Sequence, residues 1–273
     1  MKNIFLPVVL SCCMFAQLSC QHSFNNKSHP AASHNELMKR IMKAPKMNIK
    51  TIGILLYDDY FPLDAMGPMA VLSELMGTRV FFVGLKKGLV KNYQMQVQVD
   101  TTIAEVDQLD MLVIPGGYTS TYLLTQDTTL LNWIRKIDSR SKITASVCTG
   151  AWLLGAAGLL KGKNATTHWY YKAQHILEGY GAHTQNRRYV RDGKYWTSAG
   201  VSAGMDMSLA IIKEIRGEEY LQAAMLDLEY NPKPPITGGQ PTNSDKQIVD
   251  MMVTMYDMGL QPLLDSIEKK KSL

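Results

Sequence analysis

Beyond residue 20 the chain carries a single cysteine, Cys148, where an apolar strand pattern runs into an apolar helix pattern: ITASVCTGAWLLGAAGLL. Ile143 to Val147 read as a short buried strand and Gly150 to Leu160 as a helix, which puts Cys148 in the turn between them. Several hydrolase folds hold a nucleophile at the top of a sheet in this strand–turn–helix geometry. A turn that tight needs small flanks, and Ser146 and Gly150 supply them. The following helix directs free N–H groups and its positive end at the sulfur, so the thiol is expected to ionise below the free value of about 8.5. The bland alternative is an inert buried thiol, because cysteine packs as a small hydrophobe.

Five further residues have side chains or backbone amides suited to chemistry. Asp64 lies in PLDAMGP, just ahead of a helix pattern. It reads either as a helix N-cap or as an acid beside the thiol that shuttles a proton. Gly116-Gly117 ends an apolar strand, LVIPGG. That pair is a tight turn, or a place where backbone amides approach a ligand and hold developing negative charge. Thr149 follows the cysteine, with its N–H at the helix start and its hydroxyl available to a pocket. His168, in ATTHWYY, is a base or a structural hydrogen-bond donor.

The elements that must position these residues alternate between strand and helix. Thr51 to Tyr57, Arg79 to Gly84, Met111 to Pro115 and Ile143 to Val147 are continuous apolar strands, and Gln94 to Asp100 alternates like a half-exposed one. Helices are predicted at Pro68 to Met76, with Pro68 at an early position, and at Thr128 to Asp138 with Leu130, Leu131, Ile134 and Ile137 on one face. Arg187 to Ser198 reads as a hairpin turning at Asp192-Gly193. Helices follow at about 202–215, 218–229 and 244–257, with a Pro/Gly-rich stretch before the last, and a short one is expected around Glu36 to Met42. Buried strands between helices mean a parallel sheet covered on both faces. In such sheets ligands bind beyond the carboxyl ends of the strands, where Asp64, Gly116-Gly117 and Cys148 all fall.

The net charge is only +5 and there is no basic stripe with interleaved aromatics, so nucleic acid is not an expected partner. Lys2 followed by the apolar run Ile4 to Leu18 has the layout of an export signal. Leu18-Ser19-Cys20 resembles the end of a bacterial lipobox, with Gln17 where an apolar residue is usual, so Cys20 is the expected lipidation site and the only link to a membrane. The expected organisation is a signal over 1–20, a polar tether over 21–48, a catalytic domain over 49–241 and a C-terminal helical extension over 242–273. The location expected is the periplasm or cell envelope.

GILLYDDYFPLDAMGP, LVIPGG, ASVCTGAWLLGAAGLLKGKNATTHW, TSAGVSAGMDMSLAII and LEYNPKPPITGGQP together resemble the ThiJ/PfpI superfamily, relatives of class I glutamine amidotransferases, and within it the isonitrile hydratase-like branch. The resemblance implies an α/β flavodoxin-like three-layer sandwich with a mostly parallel central sheet, a nucleophile-elbow cysteine and commonly a homodimer. It also implies a hydro-lyase that needs no metal or organic cofactor and acts on a small electrophile. Cys148 forms the covalent adduct, Asp64 is the acid–base, Thr149 completes the catalytic set, and Gly116, Gly117 and His168 bind substrate or oxyanion.

Thr149 replaces the histidine that peptidase-like members carry beside the cysteine, which removes a Cys-His dyad. Asp64 stands where glyoxalase-type and redox-sensing members have glutamate. The alternatives are glyoxalase- or deglycase-like carbonyl chemistry and a non-enzymatic thiol sensor in the envelope. A regulator of the AraC type is disfavoured, since about thirty residues beyond Pro241 cannot build its DNA-binding module. The export reading predicts that the full-length chain is processed into the envelope fraction and takes up lipid label. Cys20→Ser should abolish the label, and an unprocessed cytoplasmic protein would refute export and anchoring together.

Overall fold

The computed structural model describes residues 33–92 and 95–271. The export segment, Cys20 and the tether up to residue 32 therefore lie outside the described residues. The chain divides into two units, Met1–Lys39 and Arg40–Leu273. In the first, the start of α1 (His34–Ile41) carries a reciprocal cap. The Ser33 N–H donates to the Glu36 carboxylate at 2.8 Å, and the Glu36 N–H donates to the Ser33 hydroxyl at 3.3 Å.

The second unit begins with β1 (Thr51–Leu56), α2 (Pro62–Leu72), β2 (Arg79–Gly84), β3 (Leu89–Lys91), β4 (Gln96–Gln98), β5 (Thr101–Thr102) and β6 (Met111–Ile114). It continues through α3 (Thr119–Leu124), α4 (Thr128–Asp138), β7 (Ile143–Val147), α5 (Ala151–Ala156), β8 (Asn164–Ala165) and α6 (Tyr171–Gly179). It ends with β9 (His183–Thr184), β10 (Tyr189–Asp192), β11 (Tyr195–Ser198), α7 (Ala203–Arg216), α8 (Glu218–Asp227) and α9 (Lys246–Lys271).

The central sheet has seven strands in the order β10-β11-β7-β6-β1-β2-β5, parallel throughout except for the β10–β11 hairpin. Its middle strands β6 and β7 are buried at every position, and β1 at all but its first, because helices cover both faces. One helix group joins α2 to α7 and α7 to α8; the other centres on α5, which touches α3, α4 and α6. This is the covered parallel sheet expected from the strand pattern, in the flavodoxin-like α/β form that the family resemblance implied. After β1 the chain steps to β2 on one side and later returns to β6 on the other. The order therefore reverses between β1 and β6, the position where open α/β sheets bind ligands.

Five local expectations need correction. The helix after β1 starts at Pro62, not Pro68, with Phe61 as its N-cap and Pro62 in the position that tolerates a missing N–H. Pro68 sits inside α2, where its absent N–H leaves the Asp64 carbonyl without its usual helical donor. The alternating segment yields only β4, which pairs antiparallel with β3 outside the main sheet. In the hairpin Asp192 pairs with Tyr195, so the two-residue loop is Gly193-Lys194, with Gly193 at φ 64°. The helix after Cys148 is short: Cys148–Gly150 is a 3₁₀ turn, α5 ends at Ala156, and Gly158 at φ 80° breaks the pattern. Helix α9, by contrast, runs well past residue 257 and buries Leu260 completely.

Candidate functional site

The loops leaving β1, β6 and β7 converge at the strand-order reversal, and each carries a non-glycine residue in left-handed backbone. Asp59, Tyr118 and Cys148 have φ of 61°, 56° and 56°. Such conformations cost of order 1–3 kcal/mol each and persist only where the surroundings fix them. The fixing at Cys148 is steric. A Cβ on Gly150 would lie 2.2 Å from the Ile114 carbonyl oxygen, and one on Gly200 would lie 2.7 Å from the Cys148 Cβ and 3.1 Å from Sγ. Gly200 itself has φ 99°. The elbow is thus pressed between the end of β6 and the chain after β11, and only glycine fits on either side.

Asp64 lies in the first turn of α2 and is completely buried. It does not cap that helix, so the N-cap reading fails. Its Oδ2 instead accepts a hydrogen bond from the Gly116 N–H at 3.1 Å, across the gap to β6. Oδ1 meets no N–H or O–H donor among the described residues. The carboxyl lies beside the Cys148 thiol, and each group acts on the other's ionisation. Burial drives the Asp64 pKa up to about 7, and the Gly116 N–H and the Cys148 thiol only partly offset it.

The Cys148 thiol is also pushed well above its ordinary value, first by burial and then by the adjacent Asp64 charge, while the Thr149 N–H works in the opposite direction. The depressed thiol pKa expected from the helix start is therefore corrected. One N–H at the head of a six-residue helix does not outweigh desolvation plus a neighbouring carboxylate. The carboxyl is therefore the first of the two buried acids to ionise, at about pH 7, and the thiol ionises only against its charge.

Thr149 is a clamp as much as a neighbour of the nucleophile. Its hydroxyl accepts from the N–H groups of Gly117 at 3.2 Å and Tyr118 at 3.1 Å, and donates to the Thr121 hydroxyl at 3.2 Å. The Tyr57 hydroxyl extends this cluster, donating to the Pro115 carbonyl at 2.6 Å and lying 2.9 Å from the Thr121 hydroxyl. The amides of Gly116 and Gly117 are thus occupied by Asp64 and Thr149, so the oxyanion role expected of them does not fit. These glycines serve a close approach between loops: a Cβ on Gly116 would sit 2.8 Å from the Thr149 nitrogen and 2.9 Å from Asp64 Oδ2. The amide that reaches the sulfur is that of Thr149.

His168 is mostly buried, and burial lowers its pKa to about 4. Its Nδ1 accepts from the Tyr170 N–H at 3.2 Å, which assigns the proton of the neutral ring to Nε2. Nε2 is 3.5 Å from the Tyr256 hydroxyl. Tyr256, on α9, is the site residue that sequence reasoning missed. Its ring lies 5.0–5.7 Å from those of Tyr118, His168, Trp169 and Tyr170, and its phenol feels the charge of Cys148. The hydroxyl of Tyr118 donates to the Tyr256 carbonyl, that of Tyr170 to Asp257, and Lys172 pairs with Asp257 at 2.5 Å. Nothing near residue 256 signals this role, because the contact spans about ninety residues of chain.

A cavity of about 650 Å³ opens beside the elbow, with Leu63, Thr167, His168, Gly200 and Tyr256 in its wall. Thr167 ties that wall to the nucleophile by donating to the Cys148 carbonyl at 2.9 Å.

A family model described as DJ-1/PfpI family matches residues 50–214. Isonitrile hydratase of Pseudomonas putida is 38% identical over 202 residues, 73% of this chain and 86% of that protein. Protein dj-1beta of Drosophila melanogaster is 28% identical over 161 residues, 57% of this chain and 85% of its own length. A crystal structure of a ThiJ/PfpI family protein from Pseudomonas syringae superposes with a TM-score of 0.75 at 31% identity, covering 85% of this chain and 94% of that one.

The buried carboxyl has a consequence for stability. A folded-state pKa of about 7 against an ordinary 3.8 means that the protonated form favours the fold. That stabilisation is complete below about pH 4 and is lost as pH rises through about 7. Asp64→Asn cannot ionise, so the Tm of the wild type relative to this variant should fall across that window in thermal melts. A difference independent of pH would contradict the buried-acid assignment.

Proposed function

The chain belongs to the DJ-1/PfpI family, and we propose that it works there as a cysteine-dependent hydratase of small electrophiles, with an isonitrile as the substrate type. The observation that carries this reading is the buried Asp64–Cys148 pair, in which a carboxyl near pKa 7 lies beside a thiol whose ionisation it opposes. The likeness to isonitrile hydratase supports the substrate type.

In this mechanism the reactive microstate is Cys148 thiolate beside protonated Asp64. The sulfur attacks the terminal carbon of R–NC while Asp64 gives that carbon its proton, leaving a thioimidate, Cys–S–CH=N–R, and an Asp64 carboxylate. Water then adds its oxygen to the same carbon. Asp64 takes a proton from that water and passes it to nitrogen, which gives Cys–S–CH(OH)–NH–R. Asp64 finally accepts the hydroxyl proton as the C=O forms and the thiolate leaves. The product is R–NH–CHO, and the pair returns to its starting protonation. Splitting the hydration at a covalent adduct replaces one difficult step with two easier ones. The Thr149 N–H steadies the thiolate, and His168 is a neutral donor rather than a base. In this reading the chain acts in the cell envelope, on the strength of Lys2 and the apolar run that follows it.

The test is formamide production from an alkyl isocyanide by the purified chain. Cys148→Ala should abolish it, and Asp64→Asn should slow it roughly 10²–10⁴-fold, the range for losing a general acid–base group. Wild-type turnover by Asp64→Asn would overturn the two-residue mechanism. Methylglyoxal conversion with isocyanides left inert would overturn the hydratase reading in favour of carbonyl chemistry.

A further inference from the structure

The cavity beside Cys148 has no aspartate or glutamate in its wall but two arginines, Arg187 and Arg188. Arg188 is neutralised by an ion pair with Asp206 and also donates to the Ser202 hydroxyl at 3.0 Å. The Arg187 guanidinium has no ion pair and no side-chain hydrogen bond among the described residues. The side chains of Gln174, Asn186 and Thr242, in the same wall, have no protein partner among the described residues either. One uncompensated positive charge, flanked by neutral polar groups and facing no carboxylate, gives the cavity a positive potential.

The backbone that carries this charge is tied to the backbone that carries the nucleophile. Consecutive threonines hold both residues: Thr166 donates its hydroxyl to the Arg187 carbonyl at 3.0 Å, and Thr167 donates its own to the Cys148 carbonyl at 2.9 Å. The Arg187 N–H is held in turn by the Gln185 carbonyl at 2.9 Å. The chain at Arg187, whose exposed side chain lines the cavity, is thus tied to the chain at Cys148, whose sulfur abuts Gly200 of the same wall, and a volume of about 650 Å³ is ample for a small molecule.

We propose that the substrate of this site is anionic: a small electrophile bearing a carboxylate that Arg187 binds while its reactive carbon meets Cys148. The inference rests on Cys148 being the nucleophile and narrows the substrate class of the reading above. Arg187 contributes specificity by binding the end of the substrate that does not react.

Iodoacetate and iodoacetamide test this on the full chain without requiring turnover. In both, the Cys148 sulfur displaces iodide from the same CH₂ group, and they differ in a carboxylate against a neutral amide. The readout is the ratio of the iodoacetate to the iodoacetamide rate, normalised to that of a small free thiol. It should be raised in the wild type, fall roughly tenfold in Arg187→Gln, as for the loss of one solvent-screened charge-assisted hydrogen bond, and be retained in Arg187→Lys. Lys161→Gln, which removes an equal charge outside the cavity, should leave the ratio unchanged. A ratio insensitive to Arg187, an equal fall in Lys161→Gln, or a Cys148 that neither reagent reaches would overturn the proposal. Turnover of isocyanoacetate, which carries both the isocyano carbon and a carboxylate, reports on the hydratase reading separately. Its absence alongside an Arg187-dependent ratio would refute that reading and leave the anion site standing.

Discussion

Two acidic groups buried in contact with one another dominate this molecule. Removing the Asp64 carboxyl and the Cys148 thiol from water makes each negative charge costly, and placing them side by side makes a second charge costlier still. The first negative charge therefore forms on the carboxyl at about pH 7, and a second on the thiol is disfavoured. The Gly116 N–H donates to the Asp64 carboxyl, and the Thr149 N–H favours the Cys148 thiolate without offsetting its burial.

Keeping that pair together requires three loops to approach more closely than ordinary side chains allow. Glycine at 116, 150 and 200 gives the clearance, and the Thr149 hydroxyl bolts the loop after β6 to the elbow by taking two of its amides. Burial requires a cover as well. Helix α9 supplies part of it, placing Tyr256 among Tyr118, His168, Trp169 and Tyr170. The C-terminal segment is thus part of the site's environment, although its sequence reads as an appendage.

What the sequence makes legible is what local physics determines. Continuous apolar runs mark β1, β2, β6 and β7, and the face of Leu130, Leu131, Ile134 and Ile137 marks α4 with its bounds intact. Cys148 stands out because a lone cysteine joins a strand to a helix, and Asp64 and the Gly116-Gly117 turn follow from the rule that ligands collect at strand ends. Other features depend on distant parts of the chain. Two prolines, Pro62 and Pro68, both suit a helix start, and only packing against the sheet decides that Pro62 begins α2 and that Asp64 points inward. The direction of the Cys148 shift depends on a carboxyl eighty-four residues away and on burial, neither visible in the turn itself. Tyr256 had no local signal at all.

The most direct test of the coupling between these two acids is the pH profile of Cys148 alkylation by neutral iodoacetamide, in the wild type and in Asp64→Asn. With the carboxylate removed, the sulfur no longer ionises against a neighbouring charge. The account predicts that the midpoint of the variant's profile moves to lower pH than the wild type's. A midpoint that stays where it was would contradict it, because Cys148 and Asp64 would then titrate independently.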